Sequence, residues 1–147
     1  MLKELNVTWN TTNWGAASNR SMTLAYTFGN CRSLENLDLS NWDVSGWNNT
    51  SLYLTWAYDY RLKSLNVSNW NTINWHVTTL YEAWDQCFSL VNIDLSNWNT
   101  TNWTVTNLAY CFRSNRRRRN FNDIKNWNTT NWRPTTLYGM FDSCYVV

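Results

Sequence analysis

Apolar residues recur along this chain at two different spacings, and segments of the two kinds alternate. In the first kind they stand three and then two apart, as in Leu34, Leu37, Leu39; Leu62, Leu65, Val67; and Leu90, Ile93, Leu95. The last two of each set alternate with polar residues, the period of a strand with one face on a core. In the second kind the apolar residues stand four apart: Leu80 and Trp84 in "TTLYEAW", Leu108 and Phe112 in "TNLAYCF", Leu137 and Phe141 in "TTLYGMF". That spacing predicts one or two helical turns, with Thr or Asn available as N-cap. Between the two lies a polar stretch punctuated by tryptophan, "NWNTTNW" at 97–103 and again at 126–132. Its Asn and Thr side chains bond their own backbone and favour turns.

The whole pattern repeats. The first Trp of each pair falls at Trp9, Trp42, Trp70, Trp98 and Trp127, in steps of 33, 28, 28 and 29 residues. Extra residues at 15–21 ("GAASNRS") account for the longer first step. A single repeat domain of five units follows, approximately 2–33, 34–61, 62–89, 90–118 and 119–147. Strand, turn and short helix at this period predict an α/β leucine-rich-repeat-like solenoid of five coils. Parallel strands at ~4.8 Å would make a slab roughly 24 Å tall. The alternative is a β-solenoid, in which the third segment is also a strand.

The unit "LVNIDLSNWNTTNWTVTNLAYCF" (90–112) and the stretch "TTLYGMFDSC" (135–144) resemble the repeats of BspA-like leucine-rich-repeat surface proteins of bacteria. The shared pattern is a leucine strand, "DLSNW", a Thr/Ser/Asn turn, "VTN", then an aromatic and a Cys. It covers nearly the whole chain. The second Trp of each pair, and a slightly longer unit, depart from that pattern. The resemblance implies a secreted or cell-surface repeat, a segment of an adhesin or lipoprotein, and brings no catalytic residues with it.

Composition narrows the function classes. Of the 147 residues 44% are hydrophobic, so the chain has material for a core, whereas only 15% are charged and 12 are Trp. The net charge of +2 is too small to argue for nucleic acid, and four of the basic residues form one run, Arg116, Arg117, Arg118 and Arg119. No apolar run approaches the ~20 residues of a membrane span. The start "MLKELNVTW" does not read as a signal peptide, so either the chain is cytosolic or an export signal lies outside this sequence or was removed. With one histidine, His76, no Cys-x-x-Cys and sparse acid–base residues, the chain reads as non-catalytic, with no metal and no cofactor.

Three groups are candidates for contact with a ligand. The second Trp of each pair, Trp14, Trp47, Trp75, Trp103 and Trp132, lies in the polar turn. The plain reading is core; the sharper one is a column of exposed indoles that stack on sugar rings. Asp38, Asn66 and Asp94 face outward from the strands, either as a solvated sheet face or as a binding face for glycan or protein. Carboxylates on alternate coils make only a weak calcium site. The arginine run replaces an expected leucine; a solvated insertion is the plain reading, a patch for an anionic partner the sharper one.

Cys31, Cys87 and Cys144 share one repeat position on alternate coils, ~10 Å apart and too far for a disulfide, so they read as small buried hydrophobes; Cys111 has no assignable partner. Nine Asn-x-Ser/Thr triplets would carry glycans only along a eukaryotic secretory route. Neither end shows the polar cap of a free-standing solenoid: the first unit begins in pattern at Leu2, and the chain ends at "SCYVV" (143–147). Uncapped ends imply either a fragment of a longer array or a subunit that stacks end to end into a filament, and the expected function is an extracellular module for adhesion or ligand binding, with the filament subunit as the alternative.

Overall fold

A computed structural model describes residues 2–6, 8–14 and 21–145. The insertion at 15–21 lies outside them except for Ser21, as do Met1, Val7 and the last two valines.

Four short strands, β1 (Glu4–Asn6), β2 (Asn36–Asp38), β3 (Ser64–Asn66) and β4 (Asn92–Ile93), form one parallel sheet in chain order. The register pairs equivalent residues of successive units, Leu5 with Leu37, Leu37 with Leu65, and Leu65 with Ile93. Alternation explains this: the central leucine of each strand points into the core while Asp38 and Asn66 point out. The fifth unit makes no strand at this place, but a 3-10 turn at Asn122–Ile124.

The tryptophan stretches are turns. From Trp14 onward each Trp of these stretches closes a four-residue turn by donating its N–H to the carbonyl three residues back, as from Trp42 to Leu39, Trp47 to Val44, Trp70 to Val67 and Trp75 to Thr72. This geometry aims both indoles of a pair inward from the second unit on, while Trp9 and Trp14 of the first unit stay exposed. Trp9, Trp42, Trp70, Trp98 and Trp127 form one stacked file with ring centroids 5.9–6.5 Å apart. A second inner file runs Phe28, Trp56, Trp84, Phe112 and Phe141 at 5.0–6.5 Å. In the first file the indole N–H reaches back one unit, from Trp70 to the Leu39 carbonyl at 3.0 Å and from Trp98 to the Val67 carbonyl at 3.3 Å. Each such bond ties the end of one strand segment to the ring above it.

The third segment overturns the expected α/β leucine-rich-repeat-like solenoid. Among the described residues there is no α-helix, and the chain is a small parallel sheet joined by turns. Where a helix was expected, two residues per unit, four apart, take left-handed backbone: Tyr26 and Asn30, Leu54 and Tyr58, Glu82 and Gln86, Tyr110 and Ser114, Gly139 and Ser143. A helix cannot pass through such residues. Their N–H groups donate sideways to the next unit instead, as from Leu54 to the Tyr81 carbonyl and from Glu82 to that of Ala109. The segment is not the continuous strand of the β-solenoid alternative either; single parallel bridges link Ser51, Thr79, Asn107 and Thr136. The four-residue apolar spacing misled because two consecutive turns return a side chain to the core after four residues, as one helical turn does.

Two inner positions break the apolar rule. Counting 28 residues on from Leu34, Leu62 and Leu90 gives Arg118, which is 2% exposed and not the solvated residue expected of the arginine run. Its guanidinium pairs with Asp123 and lies against the rings of Phe112 (5.0 Å) and Phe121 (4.3 Å). A planar, weakly hydrated cation tolerates that slot where a lysine would not. The second exception is the slot occupied by Cys31, Asp59, Cys87, Asn115 and Cys144 in successive units. Cys87 Sγ donates to the Trp56 carbonyl at 3.1 Å, Asn115 Nδ2 to that of Trp84 at 2.6 Å, and Cys144 Sγ to that of Phe112 at 3.0 Å. All four cysteines are free, and Cys31 is exposed rather than buried as its repeat position suggested. Asp59 accepts a bond from the Cys31 N–H at 2.7 Å, yet its other oxygen is buried without a partner. Burial pushes its carboxyl up to about 8, so it is predominantly a neutral acid at pH 7.

Candidate functional site

The candidate contacts read from the sequence fall in unlike places. Trp47, Trp75 and Trp103 are fully buried and Trp132 is 8% exposed, whereas Trp14, in the first unit, is 37% exposed. The second Trp of each pair therefore belongs mostly to the core, with stacking between Trp14 and Trp47, Trp75 and Trp103, and Trp103 and Trp132. Asp38 and Asp94 do face outward, but each closes a turn, accepting the N–H of Ser40 and of Ser96 respectively at 2.9 Å. The Ser40 N–H and then its hydroxyl lower the Asp38 carboxyl, and the Ser96 hydroxyl and then its N–H lower that of Asp94. Asn66 does the same work, accepting from the Ser68 hydroxyl at 3.0 Å. In the arginine run Arg116, Arg117 and Arg119 are exposed and Arg118 is buried. Among the described residues no group of three or more His, Cys, Asp or Glu side chains is placed to hold a metal ion, and no helix is long and apolar enough to cross a membrane.

What the sequence reading passed over is a file of tyrosines on the outside of the third segment. Tyr26, Tyr53, Tyr81, Tyr110 and Tyr138, one per unit, follow each other at centroid separations of 5.0, 5.3, 6.3 and 5.3 Å. The end members are 61% and 69% exposed, and the three between are half-buried. The signal was present: every "LYLTW", "LYEAW", "LAYCF" and "LYGMF" carries a Tyr between its leucine and its aromatic. Leucine and aromatic drew notice because they keep a helical spacing; the tyrosine shifts by one place between units and keeps none.

The turn geometry positions this file. Tyr26 and Tyr110 themselves occupy the left-handed position, while Tyr53, Tyr81 and Tyr138 immediately precede it. Either place turns the ring out of the coil. Beneath the rings lies a charged layer. The Tyr58 hydroxyl donates to Glu82 at 2.9 Å. Arg113 grips the buried Asp85 through two bonds, at 2.8 and 2.5 Å, and lies 4.0 Å from the Tyr110 ring. Burial, then the bond to Glu82, pushes the Tyr58 phenol up to about 12; the bond to Glu82, then burial, does the same for Tyr81. Both remain neutral at physiological pH. The face thus offers flat neutral rings edged with hydroxyls, held from below by fixed charges that are already paired. Such a surface is suited to stacking and hydrogen bonding, and it assembles no nucleophile with a base.

A second outer file runs beside it. Arg32 lies 5.5 Å from the Tyr60 ring, Tyr60 stacks on Phe88 at 5.0 Å, and Arg116 lies 4.7 Å from Phe88. Tyr26, Asn30, Arg32, Tyr58 and Tyr60 line an open cleft between the two files.

No curated protein and no solved structure matches the chain. One family model does, twice and with overlap, over residues 3–74 and 55–146. Since those matches span nearly all five units, the chain belongs to the repeat family described as "Mycoplasma protein of unknown function, DUF285".

Proposed function

We propose that this chain is a non-catalytic repeat module, displayed outside the cell, that binds a glycan or protein ligand through its tyrosine file. The observation that carries the reading is the division of aromatic residues. From the second unit on the tryptophans build the core, with Trp9 and Trp14 of the first unit exposed, while one tyrosine per unit keeps a face on the surface in a continuous row. A row of rings over several units suits an extended ligand such as a glycan chain, whose sugar faces stack on aromatics. The extracellular setting is supported by the resemblance to BspA-like surface repeats. A printed array of neutral glycans, probed with the wild type and with a Tyr26→Ser/Tyr53→Ser/Tyr138→Ser variant, tests it. Expected is binding by the wild type that falls at least about tenfold in the variant, with unchanged tryptophan fluorescence. Undiminished binding by the variant would remove the tyrosine file from the site.

A second reading, end-to-end stacking of copies, has a specific observation behind it. From its leucine onward, the alternate N–H groups of the third segment donate to the carbonyl of the following unit, while the threonines that open it, Thr78, Thr106 and Thr135, donate to the preceding one. The N–H groups of Leu137, Gly139, Phe141 and Ser143 and the carbonyls of Thr23, Ala25, Thr27 and Gly29 therefore make no such bond among the described residues. A row of donors at one end and of acceptors at the other is complementary head to tail. Sedimentation velocity over a concentration series decides it, and a monomer at every concentration would sink this reading.

A further inference from the structure

We infer that the shelf formed by Arg116, Arg117, Arg119 and Tyr145 over Val91 binds an acidic polysaccharide through its sulfate or carboxylate groups. These five residues line one open cavity on the fourth and fifth units. Its cations are unspent. The ion pairs among the described residues engage Lys3, Arg61, Lys63, Arg113 and Arg118, and none involves Arg116, Arg117 or Arg119.

The shelf is also held in shape. Arg118, buried against Asp123 and two phenylalanine rings, pins the middle of the run, so Arg117 and Arg119 on either side are directed to solvent. Arg116 has one face on the Phe88 ring, which leaves the N–H edges of its guanidinium free. A guanidinium stacked in this way has less freedom to lose when it meets an oxyanion, and its fork matches two oxygens of a sulfate or carboxylate.

Charge complementarity selects an anion, and the remaining lining selects its carrier. Tyr145, 60% exposed, supplies a ring face for a sugar. Val91 is the apolar contribution to the lining, too little for insertion into a bilayer. The inference does not rest on the tyrosine file, which lies on other residues.

Calorimetric titration of the whole chain with a heparin-derived oligosaccharide, at about 0.15 M salt where weak surface attraction is screened, tests it. Arg117→Glu/Arg119→Glu is compared with Lys3→Glu/Arg61→Glu, which changes the net charge equally at the other end of the stack. Expected is a loss of at least about tenfold in the first and less than about twofold in the second, since each charge-assisted bond lost is worth that much. The near-ultraviolet signal of the stacked tryptophans reports that both variants fold. The tyrosine-file triple variant keeps its heparin affinity if the two sites are separate. Equal loss in both arginine variants, no heparin binding by the wild type, or binding to phosphatidylserine vesicles without binding to heparin would each overturn the inference.

Discussion

The files of side chains that face into the stack and those that face out obey different rules, although one repeat generates both. An inward file is filled by like on like: indole on indole, or leucine over leucine, from unit to unit. Close packing demands this, because each unit must present its neighbours with the same volume at the same height. Where an inward file changes character, as at Asp59 and Arg118, the new group must find polar partners or give up its charge. An outward file carries no such demand. The run of Arg32, Tyr60, Phe88 and Arg116 changes chemistry from unit to unit without disturbing the stack. The lesson is that, such exceptions aside, the inside of a repeat must stay aromatic or aliphatic at each place, whereas the outside is free to repeat one residue, as the tyrosine file does, or to vary, as the arginine-flanked file does.

The contrast is broken most severely from the inside. Trp70→Ala empties a fully enclosed site touching Trp42, Trp47, Trp56, Trp75 and Trp98 and removes the bond to Leu39. A loss of about 3–5 kcal/mol in denaturant midpoint experiments is expected. A loss under about 1 kcal/mol would mean that the core does not depend on the file.

Asp59 sharpens the contrast through pH. In the same slot Cys87, Asn115 and Cys144 each donate to the carbonyl of the inner-file aromatic one unit back, and by the repeat the equivalent acceptor for Asp59 is the Phe28 carbonyl. Only a protonated carboxyl can donate to it. The folded carboxyl titrates at about 8 and the unfolded one at about 4, so the folded chain keeps a proton that the unfolded chain has released. This contribution to stability is complete below pH about 4 and is lost as pH rises through about 8. From pH 5 to 8 the wild type should lose on the order of 3–4 kcal/mol, and Asp59→Asn, which copies Asn115, should not. Equal pH slopes in thermal melts of the two proteins would show that Asp59 is charged in the fold.

Arg118 offers a milder test. Arg118→Leu with Asp123→Asn restores the leucine of the other units and keeps an acceptor for the Leu95 N–H, 3.2 Å from Asp123. The change should be neutral or stabilising by about 1–2 kcal/mol, as when a buried ion pair gives way to matched apolar packing. Destabilisation beyond about 2 kcal/mol would show that the stacked guanidinium contributes packing that leucine does not replace. Least of all should follow from Tyr138→Ser on the outer face, within about 0.5 kcal/mol by the same melts. A larger effect would place the tyrosine file among the structural columns and weaken its role as a contact surface.

The sequence by itself determined the period, the parallel strand segments of the first four units and, apart from Trp9, the inward set of leucines and first-file tryptophans. These follow from alternation and recurrence, which are local properties of the chain. It also determined that the Asn/Thr stretches turn, because their side chains bond their own backbone. Only the tertiary structure decided the third segment. An apolar residue every four places satisfies a helix and a pair of left-handed turns alike, and the choice was made by N–H groups that find their acceptors 27 or 28 residues away rather than four. Tertiary structure likewise decided which aromatics stay outside, and that the third arginine of a run of four goes in. Those outcomes depend on the unit above and the unit below, and no single stretch of sequence contains them.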